Sequence, residues 1–137
     1  MPLFSFVRLY AGAIVVFFAM DLTWLGVVAK KFYAEQMGHL TRPDVQWGPA
    51  VLFYLIYVAA IVVLCVKPGL ERDSVGRAVA LGAVFGLAAY ASFDLTSLAL
   101  LKDFPLKVAV VDLIWGTVLT ATVSGATTAI GRWLQVG

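Results

Sequence analysis

The sequence holds a single cysteine, Cys65, and a single histidine, His39. One cysteine excludes an intrachain disulfide, and one of each argues against a thiolate or imidazole zinc centre. Charge is also scarce: 13% of residues are Asp, Glu, Lys or Arg, against about a quarter in a soluble domain. The net charge of +2 is spread along the chain, so it leaves no basic stripe for nucleic acid. No Gly-rich phosphate loop, nucleophile elbow or His-rich metal helix occurs, and no cofactor or metal is indicated.

What is abundant is apolar surface. Of the 137 residues, 62% are hydrophobic, more than one soluble core can hide. A helix that crosses a bilayer needs about 20 mostly apolar residues. Four stretches meet that length, at about 3–29, 48–66, 78–101 and 106–134. Each is long and continuous, which favours helices over the short alternating segments of a barrel. The expected fold is all-α: an integral membrane bundle of four transmembrane helices forming one transmembrane domain over 1–137. Leu9 to Met20 follows Arg8 as a signal peptide would, but the run continues past Asp21 to Ala29 without a small-x-small site, so it reads as a retained span.

Prolines punctuate the runs. Pro49 and Pro105 fall at helix starts, where a missing N–H costs nothing, Pro68 is expected just beyond a helix end, and Pro43 falls in a loop. The longest connection, Lys30 to Trp47, is polar and reads as a loop, with Phe32, Tyr33, Trp47 and Trp133 as interfacial belt residues. Basic residues do not set the orientation. Arg8, Lys67, Arg72, Arg77 and Arg132 lie at one end, and Lys30, Lys31, Arg42, Lys102 and Lys107 at the other. Both termini are taken as cytoplasmic, with dual insertion as an antiparallel homodimer as the alternative.

The halves match faintly. Asp21-Leu22-Thr23 recurs as Asp94-Leu95-Thr96, and Asp44-Val45-Gln46-Trp47-Gly48 resembles Asp112-Leu113-Ile114-Trp115-Gly116. This pattern is compatible with two similar helical hairpins and equally with coincidence in an apolar sequence.

Three aspartates fall inside the runs. A carboxylate at mid-bilayer costs about 2.5–3.5 kcal/mol on insertion scales, so such groups turn toward the bundle interior or a wet cavity. Asp21 and Asp94 lie roughly 12–14 Å, and Asp112 roughly 7–8 Å, from the same boundary at about 1.5 Å per residue. They can therefore meet. Helical spacing puts Tyr90 and Ser97 on the face of Asp94, and Trp24 and Trp115 each three residues past an aspartate. Tyr54 and Tyr57 are expected near the depth of Asp21 and Asp94. The candidate ligand- or ion-binding set is thus Asp21, Asp94, Asp112, Trp24, Tyr54, Tyr57, Tyr90, Ser97 and Trp115. With no Lys or Arg deep in a span, either some of these acids are protonated or a cation completes the cluster. The competing reading makes them helix-to-helix glue, through bonds averaging about 0.6 kcal/mol.

Asp21-Leu22-Thr23-Trp24-Leu25-Gly26, Phe32-Tyr33 and Leu52-Phe53-Tyr54-Leu55-Ile56-Tyr57-Val58 carry a resemblance, as do Tyr90-Ala91-Ser92-Phe93-Asp94-Leu95-Thr96 and Asp112-Leu113-Ile114-Trp115-Gly116-Thr117. In this order they resemble an uncharacterised bacterial inner-membrane family, domain of unknown function 2177. The resemblance implies four helices, a multi-pass location in the inner (plasma) membrane, no established activity, and neighbourhood to lipid-modifying genes, including cyclopropane-synthase-like ones. Three functions are weighed. The leading one is binding or transport of a proton, cation or small polar solute at the aspartates. The others are an enzyme or accessory factor in membrane-lipid modification, and a small subunit of a larger membrane complex.

Overall fold

The computed structural model describes residues 2–41 and 46–135. Among these there is no strand, and four helices are long and apolar enough to cross a membrane: Leu3–Val28, Trp47–Glu71, Val75–Leu100 and Leu106–Trp133. At about 1.5 Å per residue each exceeds the roughly 30 Å of a bilayer's hydrocarbon core. Leu52, Ile56, Val84 and Ile114 face outward, a surface suited to lipid. The protein is an all-helical, multi-pass membrane protein.

The first span is α1 (Leu3–Thr23) followed by a π-helical turn, Trp24–Val28. Ala29, at φ −110°, breaks the run. The segment expected as a polar loop then forms a short helix, α2 (Lys30–Met37). Phe32, Tyr33 and Met37 on α2 pack against buried Phe104, Val108 and Ala109, and His39 Nε2 lies 2.8 Å from the Asp103 carbonyl oxygen. Amphipathic packing thus overrides the polar composition. Arg42, Pro43, Asp44 and Val45 lie outside the described residues, and with them the first two positions of the proposed match at Asp44–Gly48.

The second span extends beyond its expected end. After α3 (Trp47–Ile61) comes a second π-helical turn, Val62–Val66, and then α4 (Lys67–Glu71), which contains Pro68. Pro68 therefore lies inside a continuous helical run, where its missing N–H removes one bond of the helical ladder. The chain reverses at Arg72–Ser74, with Asp73 at φ 50°. The Ser74 hydroxyl accepts a hydrogen bond from the Arg77 N–H at 3.0 Å, the usual N-cap arrangement. This cap starts α5 (Val75–Leu100) three residues before the expected Ala78. A tight turn leads to α6 (Leu106–Trp133), where Pro105 is the N-cap as its position suggested.

The two hairpins are built differently. Helices α5 and α6 run in intimate contact, with Gly82 against Ser124, Gly86 against the Gly116 carbonyl and Thr120, and Gly116 beneath the Tyr90 ring. Small residues let backbones approach this closely, which is how membrane helices gain packing energy. The second span meets the others mainly through its C-terminal half, where Tyr57, Val58, Ile61, Val62, Cys65 and Val66 join Leu9, Ala13, Phe17, Leu119 and Val123 in the core.

A β-carbon at Gly86 would run into backbone oxygen as well as Thr120. Gly86→Ala is expected to destabilise the protein by about 1–3 kcal/mol through overpacking. Gly12→Ala, with nothing within 4 Å, should leave the thermal midpoint in detergent nearly unchanged.

Candidate functional site

Near the end of the bundle that carries α2, the helices part around a cavity of about 500 Å³. Asp21 of α1, Asp94 of α5 and Asp112 of α6 all line it. The spacing that placed them at similar levels therefore also places them on converging faces. Their walls are aromatic: Trp24, Tyr33, Phe53, Tyr54, Tyr90, Phe93 and Trp115. Among the described residues no basic side chain lines the cavity.

Each acid has a different setting. Asp21 is 5% exposed. It accepts a hydrogen bond from the Trp115 indole N–H at 3.3 Å, and the Tyr54 hydroxyl faces the same carboxyl. Asp112 accepts a hydrogen bond from the Tyr33 hydroxyl, which itself accepts one from the Trp24 indole N–H at 3.3 Å. Burial pushes the Tyr33 phenol above its ordinary range, and its bond to Asp112 adds to this, so it stays a donor. Asp94 is fully buried, and neither of its carboxyl oxygens meets a protein donor. Its side-chain neighbour is the Asp112 carboxyl.

The two tryptophans tie these settings together. Trp24 and Trp115 stack with ring centroids 4.4 Å apart and planes 8° from parallel. Each follows an aspartate in the pattern Asp-Leu-x-Trp, at 21–24 and 112–115, on helices that run in opposite directions. The antiparallel arrangement exchanges their partners. Trp115 serves Asp21, while Trp24 reaches Asp112 through Tyr33. An indole N–H in apolar surroundings needs such a partner, and here Asp21 and the Tyr33 hydroxyl accept from the two stacked rings.

Two expected members lie elsewhere. Tyr57 turns away from the cavity into the core, where its hydroxyl pairs with Thr120 Oγ1 at 2.7 Å and its ring stacks on Phe53 and Phe85. Ser97 is buried one turn beyond Asp94 and does not line the cavity. In their place the structure contributes Tyr33, Phe53 and Phe93. Tyr33 had been expected at the membrane interface. Its helix carried a signal, since half-buried Phe32, Tyr33, Gln36 and Met37 recur at helical spacing. Among the described residues no three His, Cys, Asp or Glu side chains converge tightly enough to hold a metal ion. The acids form an adjacent pair, Asp94 with Asp112, and a third member, Asp21, across the cavity.

A family model described as "Predicted membrane protein (DUF2177)" matches residues 6–129. The chain belongs to that family. The match takes in every residue of the cavity wall, and the family's description stops at membrane location. No curated protein and no solved structure matches the chain.

Proposed function

We propose that this DUF2177 member binds, and moves across the bilayer, a proton, a cation or a small polar solute at an intramembrane site made by Asp21, Asp94 and Asp112. The observation that carries this reading is Asp94, a fully buried carboxyl with both oxygens unpartnered at the edge of a 500 Å³ cavity. A buried polar group without a partner costs about 1–3 kcal/mol by protein mutational measures. Helix-to-helix bonds averaging about 0.6 kcal/mol in membranes do not offset that cost. A group this expensive is better explained by an occupant than by glue.

The chemistry is simple. Adjacent carboxyls cannot both ionise without a compensating positive charge. In the absence of a cation, a proton held between Asp94 and Asp112 supplies it. An arriving cation takes over that role, and the proton leaves. Tyr33 and Trp115 donate to whichever carboxylates remain charged. The site exchanges one positive species for another.

Proteoliposomes test the proposal. Wild-type protein should support flux of protons under an imposed potential, or uptake of a sodium, potassium or ammonium probe, and the double substitution Asp21→Asn, Asp94→Asn should lower it at least about tenfold, the factor that 1.4 kcal/mol represents. Equal flux from correctly folded double mutant and wild type would remove the proposal.

A further inference from the structure

The cavity is not sealed. Its exposed rim consists of Leu25, Phe53, Ser92 and Phe93, so its mouth is apolar on all but one side. The rim residues belong to spans rather than to connecting turns. Two of them, Phe53 on α3 and Phe93 on α5, are 47% and 57% exposed. The backbone of the second span approaches α5 at Val62–Val66. Nearer the cavity α3 and α5 are bridged by ring contacts, Tyr57 on Phe85 at 5.2 Å and Tyr57 on Tyr90 at 6.3 Å. On the cavity side of those rings, Phe53 lines the mouth from α3 and Phe93 from α5. An opening between two spanning helices, edged by phenylalanine, faces lipid.

The interior carries the other half of the argument. Carboxyls supply negative charge, and the aromatic side chains of Trp24, Trp115, Tyr33, Tyr54 and Tyr90 line the same space. A small inorganic cation prefers a tight shell of oxygen ligands, whereas the acids here lie across a wide cavity and form no such shell. Aromatic faces attract organic cations, quaternary ammonium above all. The unpartnered Asp94 carboxyl at the cavity's edge is the independent sign that something polar belongs there.

Building on the proposed cation site, we infer that its ligand is a lipophilic organic ammonium, entering sideways from the bilayer past Phe53 and Phe93, with its charged nitrogen between Asp21 and the Asp94–Asp112 pair and its apolar part against the rings. The ammonium can be a free amphiphilic cation or the headgroup of a lipid.

The test uses the full chain in nanodiscs of phosphatidylglycerol, with benzyltrimethylammonium as the probe and tryptophan fluorescence as the readout. Trp24 and Trp115 make that signal report on the site. The expected result is a saturable change whose half-saturation rises at least tenfold in Asp21→Asn and at least threefold in Phe53→Leu, while sodium and potassium at equal ionic strength leave the signal unaltered. Phe53→Leu touches no carboxyl and decides the matter if Asp21→Asn fails to fold. Loss of the response when phosphatidylcholine replaces phosphatidylglycerol assigns the site to a lipid headgroup. Its persistence assigns it to a free cation. No saturable change, or one indifferent to both substitutions, overturns the inference. An Asp21-dependent response to sodium or potassium alone also overturns it, yet leaves the cation site standing. Silence toward every cation, together with absent proton flux, removes both.

Discussion

Asp94→Leu is expected to raise the thermal midpoint of the protein and at the same time to abolish cation binding and flux. Leucine nearly matches aspartate in length and brings no polar atoms. The wild-type carboxyl is fully buried with no protein donor on either oxygen, so its removal relieves a desolvation cost of about 1–3 kcal/mol. Replacing buried charged groups with packed apolar ones is neutral or stabilising in several measured cases. Asp94→Asn should behave similarly in function but gain less stability, since its amide still buries polar atoms and Asp112 can pair with only one of its N–H groups. The measurement is a pair of melting curves in one detergent, set beside flux from the same preparations. A leucine variant that melts well below wild type would identify Asp94 as a structural tie. The opposite movement of stability and activity is the signature of a group kept for function.

The second large effect belongs to Trp115. Its indole does two jobs, stacking on Trp24 and donating to Asp21. Trp115→Ala should therefore cost about 3–5 kcal/mol, the range for removal of a packed aromatic ring, and should disturb Asp112 as well, because Trp24 reaches that acid through Tyr33. Trp115→Phe keeps a stacking ring and loses only the donor. About 0.5–1.5 kcal/mol is expected from that change, the net worth of one hydrogen bond. Melting curves for the two variants separate packing from hydrogen bonding. A cost for phenylalanine as large as that for alanine would contradict the stacking part of the account.

The spans themselves were legible because lipid imposes a crude rule. Long apolar runs have one stable outcome, and all four emerged as helices. Boundaries followed finer physics. Pro68 looked like a terminator, but the helical run passes through it to Glu71, just after a π-helical turn. The Ser74 cap, which hydropathy does not register, fixes the start of α5. Helix α2 was masked by Lys30, Lys31 and Glu35, although only one face of it needs to be apolar.

Within the site, depth was readable and direction was not. Counting residues from Lys30, Lys102 and Lys107 put the acids at similar levels, and the cavity brings them together. Helical spacing put Trp115 beside Asp112, but it does not tell which way a ring points, and the indole donates to Asp21. Tyr54 and Tyr57 illustrate the limit. Three residues apart on α3, one lines the cavity and the other is committed to Thr120. Tyr33 depends on a contact with Asp112 across 79 positions of sequence, which no local pattern encodes.

Infrared difference spectroscopy of the protein in lipid probes the carboxyls themselves. On adding benzyltrimethylammonium, sodium or potassium at fixed pH, one protonated-carboxyl band should give way to a carboxylate band for the cation that binds, and the exchange should vanish in Asp94→Asn. Carboxyl bands that stay constant under every cation and across a wide pH range would mean that these side chains neither hold nor release a proton, and the exchange site would be refuted.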